Sequence, residues 1–259
     1  MTYYVVCNWK MNPSSFDKAK EFIGHYNKIA SSKKGAKAKN AVKLIVCPPF
    51  VYFQLFDEKR SRRIELGAQD IFFKDAGPYT GKISSKMVKE FGAQFVIVGH
   101  SALRRMGDNE EIVNIKIRES LKKGLTPVVC VGTFDYFRET RNIINSFSAE
   151  EVNKMVFAYE PIEAVGTLHP ASPEKTAKVV REIKKMIYKR FKRKGFLGLV
   201  NLGGKKYLVP KPPILYGGSV NPANCELYLH NTDISGFVIG AESLRPEGIK
   251  KIVEKIEAY

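Results

Sequence analysis

Glu160 closes the apolar run Met155-Val156-Phe157-Ala158-Tyr159 and is followed by Pro161 and Gly166. A carboxylate at the end of a strand, ahead of a loop with a proline and a glycine in it, is how a gated general base would be built. Taken alone, such a Glu is an ordinary solvated loop end, but three other polar clusters sit in the same kind of place. Asn8-Trp9-Lys10 follows Tyr3 to Cys7, Gly99-His100-Ser101 follows Phe95 to Val98, and Gly217-Gly218-Ser219 follows Pro213 to Tyr216. Together they offer a base, an imidazole able to polarise a carbonyl, a cation, and backbone N–H groups with little side-chain obstruction, the last suited to a phosphate. These groups meet only if their strands are parallel and close into a barrel, whose active rim is the C-terminal one.

The elements needed to position them are legible. Short, continuously apolar runs alternate with amphipathic stretches, and strands are expected near residues 3–8, 42–47, 64–68, 95–98, 126–131, 155–159, 213–216 and 236–239. Continuous apolarity fits parallel strands covered on both faces. Eight such strand–helix units spell a single α/β domain over residues 1–259, a (β/α)8 TIM barrel. Ser172-Pro173-Glu174 reads as a helix start with a cap and a proline at the first position, and Asn221-Pro222 repeats that pattern. Two stretches look irregular. Residues 195–212 have no steady period and read as an inserted surface loop or hairpin, while the 132–154 stretch is expected to hold an abbreviated helix.

Composition narrows the class. The chain has 259 residues, is 44% hydrophobic, and contains no apolar stretch near the roughly 18 residues that would span a bilayer. The first residues enter a strand at once, leaving no room for a leader, so a cytoplasmic location is expected. Cys7, Cys47, Cys130 and Cys225 are widely spaced and read as buried reduced thiols, with Cys225 early in a helix. His25, His169 and His230 form no ligand spacing, and neither metal nor cofactor is expected. The formal charge of +17 is clustered, as at Lys184-Lys185 and Lys192-Arg193-Lys194. Without an aromatic-interleaved motif it reads as a solvated basic surface rather than a nucleic-acid site, and it would steer a dianionic substrate at low salt.

From Asn8-Trp9-Lys10-Met11-Asn12 through Gly67-Ala68-Gln69-Asp70, Val98-Gly99-His100-Ser101 and Ala158-Tyr159-Glu160-Pro161 to Tyr216-Gly217-Gly218-Ser219 and Gly236-Phe237-Val238-Ile239-Gly240, the chain resembles triosephosphate isomerases nearly end to end. The resemblance implies a glycolytic and gluconeogenic, cofactor-free isomerase interconverting dihydroxyacetone phosphate and glyceraldehyde 3-phosphate. It implies catalysis by Glu160, His100, Lys10 and Asn8. It places the substrate phosphate on Asn8, Lys10, Gly166, Ser219, Gly240 and Ala241, and in a homodimer it sends Thr80 toward the partner's site.

The chain departs from the family pattern beside that site. Ala102 replaces the Glu that usually neighbours the lysine, Lys82 and Leu103 replace an interfacial Glu and Arg, and Arg104 fits either of two family arginines. Glu163 and Leu168 alter the mobile loop, and Pro170 restricts its far hinge. Ala241 replaces a glycine, which is a strain if that position needs positive φ. Two alternatives remain: a weakened relative that binds phosphate ligands or polyanions without turnover, and another aldose–ketose isomerase on the same barrel.

Overall fold

A computed structural model describes residues 1–31, 39–59, 61, 63–164, 169–192 and 209–259. Strands β1 (Thr2–Asn8), β2 (Ala41–Cys47), β3 (Ile64–Ala68), β4 (Phe95–Val98), β5 (Thr126–Val131), β6 (Val156–Tyr159), β7 (Ile214–Tyr216) and β8 (Gly236–Ile239) follow the expected boundaries to within a residue. They pair in parallel and in chain order, and β8 returns to β1 through Tyr4–Gly236 to Cys7–Ile239, closing the barrel. Every strand being buried at its C-terminal half is a consequence of this closure, because the helices cover the outer face and side chains fill the inner one.

Alternation along the strands sorts the apolar residues into two cores. Val6, Ile45, Cys47, Phe95, Ile97, Val128, Cys130, Val156, Ala158, Leu215 and Val238 fill the barrel interior. Their neighbours Val5, Cys7, Val46, Val96, Val129 and Phe157 face outward into the layer shared with the helices. Trp9 belongs to that outer layer, fully buried against Phe22, Tyr26 and Phe56. Of the Asn-Trp-Lys cluster, therefore, the indole is an anchor for packing while Asn8 and Lys10 point to the rim.

The outer shell comprises α1 (Phe16–Ala30), α2 (Gln54–Lys59), α3 (Ser85–Glu90), α4 (Ser101–Arg105), α5 (Glu110–Lys122), α6 (Tyr136–Ser146), α7 (Ala149–Asn153), α8 (Pro173–Phe191), α9 (Cys225–Asn231) and α10 (Pro246–Ala258). Ser172 caps α8 by accepting from Lys175 N, with Pro173 in the first turn, as its sequence predicts. Two expectations need correction. The 132–154 stretch is not abbreviated: α6 and α7 both fit there, separated by Ser148, whose hydroxyl and Glu151 form a reciprocal cap. Asn221 does not cap α9; its side chain accepts from Ala223 N and Asn224 N in a tight turn, and the helix begins only at Cys225. Asn and Asp favour both arrangements for the same reason, a short acceptor that satisfies nearby N–H groups. All four cysteines are free and buried, and Cys225 opens α9. Most of the irregular 195–212 stretch, and the basic clusters near residues 33–37 and 205–206, lie outside the described residues.

Candidate active site at the C-terminal rim

A cavity of about 630 Å³ opens at the C-terminal ends of the strands, and Asn8, Lys10, His100, Glu160, Ser219, Gly240 and Ala241 all line it. Gly166, the remaining candidate phosphate ligand, and Leu168 lie outside the described residues. Thr80 is exposed on the loop between β3 and α3 and does not line this cavity.

Glu160 leaves β6 with its backbone N–H still bonded to Val131 O, so the strand delivers it directly to the rim. Its side chain is 1% exposed. One carboxylate oxygen accepts from Ser101 N at 3.2 Å, and the other accepts from the Cys130 thiol at 3.2 Å. Burial first, and the Glu160 charge second, push the Cys130 thiol well above its usual range, so it remains a neutral donor. His100 Nε2 stands 3.6 Å from Glu160 Oε1.

His100 itself caps α4: its Nδ1 accepts from Ala102 N at 3.1 Å. A nitrogen that accepts a backbone N–H carries no proton, so the neutral ring presents Nε2–H to the cavity. Arg104 fixes this corner from behind, donating to Gly99 O at 2.9 Å, to Cys130 O at 3.4 Å and to Glu110 at 2.9 Å. Arg104 is therefore the buried, structural arginine, while Arg105 is exposed.

On the opposite wall, Lys10 holds φ 53°, a left-handed conformation unusual for a residue with a side chain. Two side chains maintain it. Asn8 Oδ1 accepts from Lys10 N at 3.0 Å, and Gln69 Nε2 donates to Lys10 O at 2.8 Å and to Cys47 O at 2.9 Å. Asn8 thus grips the lysine's backbone. The lysine side chain extends toward Gly240, its Nζ lying 3.6 Å from where a Cβ on that glycine would stand. Among the described residues no carboxylate is shown in an ion pair with Lys10. Gln69 stands in one of the family-like motifs with no role legible there; only its reach across three strands reveals one.

The pair Gly217-Gly218, ahead of Ser219, has a use of its own. A Cβ at Gly217 would lie 2.8 Å from Glu160 Cγ, and one at Gly218 would lie 2.1 Å from the Tyr216 hydroxyl. Both glycines make room for other side chains. Tyr216, stacked on Tyr228 at 4.3 Å, accepts from Ala171 N at 2.9 Å, and Ser219 Oγ donates to Ala164 O at 2.9 Å. Residues 164 and 171, on either side of the loop after Glu160, are thereby tied to β7. Glu163 pairs with Lys175 at the start of α8, which holds its carboxyl below the usual range. Gly240 has φ −90°, and Ala241 begins a 3₁₀ turn, Ala241–Leu244. Among the described residues Lys10 alone combines positive φ with a side chain, so the strain expected at Ala241 does not arise.

A family profile described as triosephosphate isomerase matches residues 3–256. The chain belongs to the triosephosphate isomerase family. It is 32% identical over 98% of its length to a triosephosphate isomerase of Aquifex aeolicus, covering 99% of that protein. A triosephosphate isomerase of Thermoanaerobacter pseudethanolicus is 34% identical over 95% of the chain, with 96% of the relative covered. For one from Natranaerobius thermophilus the figures are 30%, 95% and 93%. As a member of the triosephosphate isomerase family the chain is an isomerase, and nothing in these similarities favours a binding protein without turnover.

Proposed function

We propose that this barrel interconverts dihydroxyacetone phosphate and glyceraldehyde 3-phosphate with Glu160 as the base, His100 as the electrophile and Lys10 as the cation. The observation that carries the assignment is the corner in which Glu160 and the neutral His100, 3.6 Å apart, face one cavity with Lys10. Glu160 takes a proton from the carbon beside the substrate carbonyl. The carbonyl oxygen gains negative charge and receives the His100 Nε2–H bond, and the charge of Lys10 lowers the energy of the enediolate. His100 carries the hydroxyl proton from one oxygen of the enediolate to the other, and Glu160 returns its proton to the neighbouring carbon, so that no atom is gained or lost. A base paired with a neutral imidazole is the arrangement for which this family is the standard example.

Ser101 N–H and the Cys130 thiol hold the carboxylate at the cavity wall beside His100. The phosphate lies on the backbone N–H groups of Ser219, Gly240 and Ala241 and near Lys10, with Gly166 completing the set. Asn8 serves by fixing Lys10. No cofactor takes part.

The exposed loop carrying Thr80 and the groove beside it support a homodimer. A groove of about 390 Å³ is lined in part by Phe50, Phe72, Lys82, Leu103 and Met106, and Met106, Met11 and Val51 are largely exposed. Exposed apolar surface of this kind marks an interaction site. Lys82 lies over the Phe72 ring, and Leu103 lines the same groove, so the Glu–Arg pair that the resemblance implies there is replaced by a cation over a ring and an apolar side chain. In the dimer Thr80 would approach the partner's site. The whole chain, 1–259, acts as one barrel domain in the cytoplasm, and among the described residues no helix is long and apolar enough to cross a membrane.

The test is turnover of glyceraldehyde 3-phosphate by the purified protein beside a Glu160→Gln protein prepared identically. Turnover that vanishes in the variant is the expected result; equal background in both overturns the proposal.

A further inference from the structure

Four side chains with full formal charge line the active-site cavity: Lys10, Glu160, Glu242 and Arg245. The first two belong to the catalytic machinery. The other two lie on and just after the 3₁₀ turn that succeeds Gly240, at the end of the cavity where the phosphate is placed. A carboxylate there is an electrostatic oddity, since it opposes a dianionic ligand.

The two side chains are held very differently. The Glu242 side chain is 13% exposed, and its Oε1 occupies space that a side chain at residue 248 would need: a Cβ on Gly248 would stand 1.9 Å away. Glu242 is therefore fixed in a slot cut by a glycine in the first turn of α10. Burial raises its carboxyl above the usual range, with Arg245 acting against the rise. Arg245 is 79% exposed and touches Glu242 only at 3.5 Å, the outer limit of a hydrogen bond. A tether of this length between an exposed guanidinium and a fixed carboxylate is weak and readily exchanged. A phosphate offers the guanidinium a better partner, with two acceptor oxygens matching its planar fork.

Resting on the isomerase reading of this site, we propose that Arg245 is a further phosphate-binding residue and that Glu242 competes for it, setting how tightly the phosphate is held. In the empty cavity Arg245 rests on Glu242. When the substrate arrives the guanidinium turns to its phosphate, and Glu242, left with its charge unpaired, limits the affinity gained. The pair thereby offsets part of the attraction that a net charge of +17 exerts on every phosphate in solution.

Arg245→Gln and Glu242→Gln should act in opposite directions. In Arg245→Gln the KM for glyceraldehyde 3-phosphate and the inhibition constant of inorganic phosphate should both rise, by about 3- to 5-fold. In Glu242→Gln both should fall by a similar factor. Both effects should shrink in high salt. Turnover of D-glyceraldehyde to dihydroxyacetone, a reaction without the phosphate, should change less in either variant than turnover of the phosphorylated substrate. Shifts of the same sign in the two variants would mean a structural role for the pair, and an unchanged inhibition constant for phosphate in Arg245→Gln would mean that the guanidinium does not reach the ligand; either result overturns the proposal. A parent protein that neither turns over substrate nor is inhibited by phosphate would instead refute the isomerase reading, so the two failures are distinguishable.

Discussion

The two ends of the cavity are built on opposite principles. At the proton-transfer end, Glu160 and His100 are almost fully buried, and each is pinned by a backbone N–H, from Ser101 and Ala102 respectively. At the end proposed for the phosphate, Lys10, Ala241 and Arg245 are exposed, and on that proposal backbone N–H groups and exposed charge would meet the anion. Proton transfer depends steeply on sub-ångström placement, whereas attraction between a dianion and a cation falls off slowly with distance. Rigid packing is therefore concentrated where the reacting atoms meet. The departure from the family pattern at Ala241 falls on the tolerant side of that division, whereas Ala102 stands at the rigid end, where its backbone N–H holds His100.

Breaking the rigid end should give the largest effects. Glu160→Gln keeps the shape and removes the base, and kcat should fall by about 10³-fold or more with little change in KM. Gly217→Ala puts a methyl 2.8 Å from Glu160 Cγ. The carboxylate must move, and kcat should drop by about 10²-fold while inorganic phosphate still inhibits at its usual concentration. Steady-state kinetics with phosphate as inhibitor would separate the two terms. If Gly217→Ala instead weakened phosphate binding and spared kcat, the division between the two ends would be wrong.

At the other end the effects should be smaller and appear chiefly in KM. Asn8→Ala frees the left-handed turn at Lys10; the expected outcome is a KM raised about 10-fold and a stability loss of about 1 kcal/mol, measured by denaturant unfolding. Smallest of all is the hinge pair Glu163–Lys175. The folded-state pKa of Glu163 is depressed, so its contribution is present above the ordinary carboxylate range and is lost as pH falls through the folded value. Both partners are about half exposed, and Glu163→Gln should cost less than about 0.5 kcal/mol at neutral pH, vanishing in high salt and at low pH. A large, salt-independent loss would show that the hinge is rigid like the reacting end.

Much of the architecture was legible without coordinates, and for reasons that differ by element. Continuous apolar runs such as Phe95 to Val98 fit two-sided parallel strands, and their alternation with amphipathic stretches gave the strand positions and the barrel from local pattern. The helix starts were less secure. Ser172-Pro173 and Asn221-Pro222 look alike in sequence, yet one caps a helix and the other a turn, because a short side-chain acceptor satisfies either and the packing of the next few residues decides. The expected short helix in the 132–154 stretch failed similarly: loop length relative to a family pattern says nothing about how many turns the residues make.

By itself the sequence determined which residue types stand at the ends of which strands, and so that a base, an imidazole and a lysine share one rim. Chain order and strand period suffice for that, since parallel strands in a closed barrel all deliver their C-terminal residues to the same face. The tertiary structure alone decided what holds them there. That Gln69 and Asn8 grip Lys10, that Gly217 leaves space for Glu160, and that the Cys130 thiol faces a carboxylate all depend on contacts between residues separated by between two and about 60 positions, most of them on different strands. Local pattern records the period of a strand; it does not record which side chain of another strand fills the space beside it, because that is fixed only when the barrel closes and its interior packs.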